Sequence, residues 1–181
     1  MMNVNIDKTL PCNLEMERLV LGMMLVSGKF ISIQDTDFYL EAHRVIYRAC
    51  KELSDRGVVP DLLVLKDELS KRDNLEASGG IAYIASLTDG VSRAHEGSED
   101  HYVAAIREKA SLRKLITSAS EAVTRSYQSE EDFSTIARDL MAKVDVIHSE
   151  NEPHQGLQSL SDMVSDGYKE IESIVDARAK G

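Results

Sequence analysis

The amino-acid sequence predicts an all-α fold: a compact N-terminal helical bundle, a long projecting antiparallel helical hairpin and a separate linker helix. Three observations lead to this fold class. Residues that interrupt helices are sparse, with 10 glycines and 3 prolines among 181 residues. Apolar residues recur three and four positions apart in successive segments, which is the helical period. The stretch from Ser98 to Tyr127 contains neither glycine nor proline.

Four helices are predicted in the N-terminal bundle. Asn13 is a favourable N-cap for the first helix, because its side chain can accept a hydrogen bond from a free backbone N–H group. A second helix is predicted over 40–56 from its apolar stripe. Asp61 is in position to cap the third helix, and Gly79-Gly80 predicts a tight turn into a short fourth helix.

The stretch from Ser98 to Tyr127 is predicted to be one helix roughly 45 Å long, at 1.5 Å per residue. A core of about 100 residues is only ~33 Å across, so we expect the helix to project. Ser129 to Asp132 has the pattern of a capping box and predicts an antiparallel partner helix. The apolar residues of the two helices form the candidate surface for self-association: Leu112, Ile116, Ala119 and Val123, with Phe133, Ile136, Leu140 and Val144.

A polar segment containing Pro153 and Gly156 separates this hairpin from a last amphipathic helix, which Ser159 is in position to cap. Either this linker helix folds back on the hairpin, or it docks on a surface that the chain does not contain. Three regions are therefore predicted, with boundaries at 1–97, 98–148 and 149–181. The docking face of the linker helix comprises Leu160, Met163, Val164, Tyr168, Ile171 and Val175.

Composition excludes several classes of protein. There are 31 acidic and 21 basic residues, for a formal net charge of −10, and such a surface repels nucleic-acid phosphates. No apolar run approaches the ~18 residues that a transmembrane helix needs. Two cysteines do not suggest a disulfide framework, and the N-terminus does not resemble a secretory signal. We therefore expect a cytoplasmic protein.

No motif for catalysis is evident in the sequence. Gly79-Gly80 lacks the GK[ST] ending of a phosphate-binding loop, and no zinc-ligand spacing occurs. Cys50 lies in an apolar stripe and is expected to be a buried small side chain, while His43 is expected to pack between helices. We predict no catalytic, cofactor or metal site in this chain. The alternative is an all-α metal-dependent hydrolase, suggested only by the histidines and carboxylates.

One basic cluster lies near the middle of the long predicted helix: Arg107, Lys109, Arg113 and Lys114. None of the four has a carboxylate three or four residues away, so none has a helical salt-bridge partner. The favoured interpretation is a solvated face, or pairing with acids across the hairpin. The other is contact with an acidic partner or a phosphate backbone, which four charges support poorly against a net charge of −10.

Six motifs follow one another along the chain: Pro11 to Gly22, Asp37 to Tyr39, His43 to Tyr47, Asp61 to Leu69, Gly79 to Leu87 and Tyr102 to Ile116. Their order resembles the N-terminal domain of bacterial DnaB-type replicative helicases. Two departures are Met16, where the family usually has alanine, and the stretch 91–97, which lacks the usual proline. No Walker motif occurs, so the resemblance does not extend to the helicase motor, and we expect the chain to be a fragment.

The resemblance implies a scaffold role. In the family this domain pairs through its hairpins into dimers, and three dimers form a collar on a hexameric ring. The collar binds primase, and the linker helix packs on the ATPase domain of a neighbouring subunit. A helicase loader is a further partner to consider. ATP and magnesium are expected only with the missing ATPase domain, and direct DNA binding is not expected.

Overall fold

The structure is a computed structural model that describes residues 9–91 and 97–151. Six α-helices and one short 3₁₀ turn make up these residues, and they contain no β-strand, which confirms the all-α class. The 3₁₀ turn spans Asp35–Asp37. The helices are α1 (Leu14–Ser27), α2 (Glu41–Asp55), α3 (Leu62–Lys71), α4 (Gly80–Ser86), α5 (Glu99–Gln128) and α6 (Phe133–Asn151).

Two predicted helix caps are present. The Asn13 side chain accepts a hydrogen bond from the Met16 N–H at 3.2 Å, and Asp61 accepts one from the Val64 N–H at 2.8 Å. Each cap satisfies a donor in the first helical turn, where the helix itself offers no acceptor. Local sequence was therefore sufficient to place the starts of α1 and α3.

The predicted cap at Ser129 is wrong. Ser129 ends α5 in a left-handed conformation, with φ of 55°, and its N–H donates to the Arg125 carbonyl. The residue that caps α6 is Asp132, which accepts a hydrogen bond from the Thr135 N–H at 2.8 Å. The turn needs one residue at positive φ to reverse the chain, and Ser129 occupies that position instead of the cap.

The core lies between α1, α2, α3, α4 and the first half of α5, with its most extensive helix contact between α1 and α5. Cys50 is fully buried there, as predicted, and burial raises the pKa of its thiol to about 12. A thiol with so high a pKa is not a nucleophile at neutral pH. The largest fully buried apolar side chains are Tyr47, Phe38, Leu21, Met24, Ile46, Leu65, Leu69, Ile84, Leu87 and Ile106.

Helix α5 is buried only in its first half. Its buried residues are Val103, Ile106, Ala110 and Arg113, and no residue of α5 beyond Arg113 is buried. From there the helix continues to Gln128, a rise of about 22 Å at 1.5 Å per residue. We call α1–α4 with α5 up to Arg113 the head, and residues 114–147 the arm.

No helix in the described ranges is long and apolar enough to cross a membrane. The boundaries proposed at residues 97 and 148 stay predictions. The linker helix predicted beyond Ser159 lies outside the described residues.

A close contact at Gly22 gives the first prediction. A Cβ at this position would lie 2.1 Å from the Leu87 carbonyl oxygen and 2.7 Å from the Val91 side chain. Helix propensity alone would make Gly22→Ala stabilising by up to ~1 kcal/mol. We expect the overpacking to dominate and to lower the free energy of unfolding by about 1–3 kcal/mol, measured by urea denaturation. Unchanged or increased stability would contradict the close packing of α1 on the chain after α4.

Candidate protein-interaction surface

A buried hydrogen-bonded chain connects three helices of the head. The Glu17 carboxylate in α1 accepts the Tyr39 N–H at 2.8 Å, and its other oxygen lies 2.6 Å from His43 Nδ1 in α2. The second ring nitrogen of His43 lies 2.6 Å from the Tyr83 hydroxyl in α4. Glu17 and His43 are both fully buried, which agrees with the predicted place of His43 between helices.

The directions of these hydrogen bonds follow from the available donors. Both carboxyl oxygens of Glu17 act as acceptors, so His43 donates from Nδ1. In the tautomer that carries its proton on Nδ1, Nε2 is the acceptor of the Tyr83 hydroxyl. Burial raises the pKa of the Tyr83 phenol and outweighs the opposing effect of the Arg18 guanidinium, which lies 5.8 Å from the centre of the ring. The phenol therefore stays protonated and serves as a donor. The hydrogen bonds from Glu17 through His43 to Tyr83 thus stabilise the packing of α1, α2 and α4.

The head offers little support for the hydrolase alternative. Within residues 9–91 and 97–151, no group of three or more His, Cys, Asp or Glu side chains is placed to hold a metal ion. His43 is committed to Glu17 and Tyr83, so it is not available as a metal ligand.

Three of the four residues in the basic cluster of α5 have contacts with the head, and the fourth, Lys109, is half-buried. Arg113 donates to the Pro11 carbonyl at 2.8 Å and to the Asp37 carbonyl, and it is buried. Arg107 donates to the Ser32 carbonyl at 3.2 Å, and Lys114 lies 3.9 Å from the Asp37 carboxylate. These partners are mostly backbone carbonyls of the head, whereas the favoured sequence interpretation placed the cluster in solvent or opposite acids of the hairpin. Spacing along one helix could not reveal acceptors that are distant in sequence.

In the arm, α5 and α6 are antiparallel, and ion pairs fix their register. Arg125 lies 2.5 Å from Asp139, and Lys143 lies 2.8 Å from Glu121. Glu121 is one turn before Arg125 on α5, and its partner Lys143 is one turn after Asp139 on α6, which is the antiparallel register. Arg125 also pairs with Glu131 at 2.6 Å in the connecting turn. The hairpin is thus present, and charged side chains join its two helices along one side.

These ion pairs shift the titration of their members. Hydrogen bonds from Arg125 hold the pKa values of Glu131 and Asp139 below their usual range, and the two carboxylates raise the pKa of Arg125. Hydrogen bonds to Glu121 and Asp139 raise the pKa of Lys143. The four groups with shifted pKa values are therefore charged over the whole neutral range.

A different side of the arm is apolar and exposed. On α5, Ile116 is 39% exposed and Val123 is 54% exposed, and their spacing of seven residues puts them on one side, away from Glu121 and Arg125. On α6, Phe133, Met141 and Val144 are exposed, and spacings of eight and three residues put them on one side of that helix. Because the helices are antiparallel, both stripes fall on the same side, which we call the apolar side: Ile116, Val123, Phe133, Met141 and Val144.

The residues predicted for self-association divide between two environments. Ile136 is buried and Ala119 and Leu140 are half-buried within the arm, whereas Leu112 is half-buried on the part of α5 that belongs to the head. Ile116, Val123, Phe133 and Val144 are exposed on the apolar side, and Met141, which the predicted set omitted, is 69% exposed beside them. Whether this side contacts a second chain stays a prediction. The predicted linker-helix face lies outside the described residues: Leu160, Met163, Val164, Tyr168, Ile171 and Val175.

Comparison with known proteins finds one family. Residues 9–108 match the family model of the DnaB-like helicase N terminal domain. The replicative DNA helicase DnaC of Bacillus subtilis is 27% identical over 173 residues, which are 93% of this chain and 37% of that protein. The chain thus spans little more than a third of the length of that relative.

Solved structures show the same fold. The N-terminal domain of DnaB helicase from Mycobacterium tuberculosis matches with a TM-score of 0.65 at 27% identity, over 76% of this chain and 99% of that one. A DnaB-like replicative helicase, solved in a study of its interactions with primase, also matches with a TM-score of 0.65. It is 21% identical, over 89% of this chain and 36% of that one, so this second likeness concerns the fold alone.

The ion pairs of the arm predict a pH dependence. Glu131 and Asp139 have lowered pKa values when folded, so their contribution to stability is present above the usual carboxyl pKa and is lost as pH falls through the lowered values. We expect Arg125→Gln to lower the melting temperature at pH 7, and the difference from the parent protein to shrink below about pH 4. Thermal melting followed by circular dichroism, from pH 7 to below pH 4, measures this difference in melting temperature.

Arg138→Gln is the matched control, because it removes the same charge from an exposed position of α6. A difference for Arg125→Gln that persists undiminished at low pH would show that the ion pairs with Glu131 and Asp139 are not its cause.

Proposed function

Since the chain belongs to the DnaB-like helicase N-terminal domain family, we propose that it is the self-associating, partner-binding domain of a replicative DNA helicase. The apolar side of the arm is the observation that supports this most directly. Ion pairs join the two helices along another side, so the arm holds together without covering Ile116, Val123 and Met141. An arm built this way has a surface left for a second chain.

A second copy of the chain is the partner we propose for this side. Covering apolar surface contributes about 25 cal/mol per Å². A two-fold pair buries the same patch on both copies, so each exposed residue contributes twice. Phe133 is 85% exposed and Met141 is 69% exposed, and both lie on the apolar side. We propose dimers through the arms, and three dimers in a hexamer of the whole protein.

Primase is the further partner that we propose. The support is the fold shared with a DnaB-like helicase that was solved in a study of its interactions with primase. We assign ATP and magnesium to an ATPase domain of the whole protein and place the docking site of the linker helix on that domain. A helicase loader remains a candidate partner. Titrating primase into the chain in a calorimeter tests the primase contact, and no heat at micromolar concentrations would count against it.

Charge introduced on the apolar side tests the self-association. We expect the parent chain to be dimeric or larger at micromolar concentration, and Val123→Glu or Met141→Glu to make it monomeric. Burying an unpaired charge costs about 3 kcal/mol, and a two-fold pair would contain two of them, so association should weaken by at least roughly 100-fold. Sedimentation equilibrium measures the mass, and circular dichroism checks that the helices persist.

Leu63→Glu provides the matched control, because Leu63 is an equally exposed apolar residue on α3 in the head. It should leave the mass unchanged. A parent chain that stays monomeric at high micromolar concentration would contradict the proposal. So would dissociation caused equally by the Leu63 change.

A further inference from the structure

Arg113 occupies the point at which α5 leaves the head. It is the last buried residue of that helix, with only 8% of its surface exposed. The residues before it pack into the core, and the residues after it belong to the arm. Its side chain therefore lies between the head and the base of the arm.

The Arg113 guanidinium holds two segments that are far apart in sequence. One nitrogen donates to the carbonyl of Pro11, in the segment before α1, and the other donates to the carbonyl of Asp37, at the end of the 3₁₀ turn. The Tyr39 ring lies 5.6 Å from the guanidinium carbon. A planar guanidinium can donate in two fixed directions at once, so one side chain ties α5 to both segments.

The charge of Arg113 is compensated inside the head. Burial lowers the pKa of its guanidinium, and the nearby carboxylates of Glu17 and Asp37 oppose this shift. Glu17 is itself held by the Tyr39 N–H and by His43. The contacts of Arg113 thus join the buried hydrogen-bonded chain of the head to the base of the arm.

Two other basic side chains of α5 contact the segment between α1 and α2, which also contains Asp37. Arg107 donates to the Ser32 carbonyl at 3.2 Å, and Lys114 lies 3.9 Å from the Asp37 carboxylate. Arg107 makes its contact from an exposed position, and its partner is a single carbonyl. Arg113 is the one that reaches two separate segments from within the core.

We propose that Arg113 is a positioning residue that sets the direction in which the arm leaves the head, with the segment before α1 acting as part of the arm's base. The effect on self-association rests on the proposed function. The direction of the arm does not, because it is a property of a single chain.

Spin labels on the head and at the end of the arm test the proposal. The substitutions Leu63→Cys and Gln128→Cys introduce exposed cysteines that carry the labels. Cys12 is replaced by serine in all variants, and Cys50 is buried and stays unlabelled. Double electron–electron resonance, on labelled chain diluted with unlabelled chain, gives the distance within one molecule. The parent should give one narrow peak. Arg113→Lys should lose it in favour of a broad distribution, because an ammonium is a point donor that cannot hold both carbonyls in fixed directions.

Arg107→Lys is the control and should keep the narrow peak. A variant lacking residues 1–12 removes the Pro11 carbonyl, and none of the described residues that it removes is buried. It therefore tests the same contact if Arg113→Lys does not fold. It too should lose the narrow peak. Circular dichroism accompanies each sample, because a purely stabilising role would lower the melting temperature and leave the distance in the folded protein unchanged.

The outcomes separate the two proposals. Narrow peaks in both Arg113→Lys and the shortened variant would overturn the positioning role, whatever the mass of the parent. A monomeric parent whose distance broadens in these variants would support the positioning role and contradict the proposed self-association. A parent that associates, with variants that broaden and associate more weakly, is the result we expect.

Discussion

One uninterrupted helix, α5, belongs to both the head and the arm, and the rest of the structure depends on this sharing. Its first half contributes Val103, Ile106 and Ala110 to the core. Its second half extends about 22 Å beyond Arg113, farther than the head can cover. An isolated helix of that length is marginal in water, so the arm requires α6, and the pair still leaves Ile116 and Val123 exposed.

Polar side chains are buried where the projecting helix joins the head, and hydrogen bonds within the head satisfy them. Among the described residues, no buried side-chain nitrogen or oxygen lacks a hydrogen-bond partner. Glu17 would be costly alone, but it accepts hydrogen bonds from Tyr39 and His43 and lies near Arg113. The buried charges of the head and the attachment of the arm are therefore one connected arrangement.

The sequence was sufficient where structure depends on neighbours along the chain. Asn13 and Asp61 cap the helices they were expected to cap, and Cys50 and His43 are buried as predicted. The error at Ser129 arose because a capping pattern and a positive-φ turn position compete for the same residue, and only the path of the chain decides between them. Arg113 could not be interpreted from spacing, because its two acceptors come from distant segments.

The central claim is that the apolar side of the arm is covered by a second chain. The relaxation that a soluble paramagnetic agent causes in methyl groups measures this directly, as a function of protein concentration. We predict that the methyl groups of Val123 and Met141 become protected as concentration rises, while that of Val26, exposed at the end of α1 in the head, remains accessible. Val123 and Met141 methyl groups that stay as accessible as Val26 at high concentration would contradict the account.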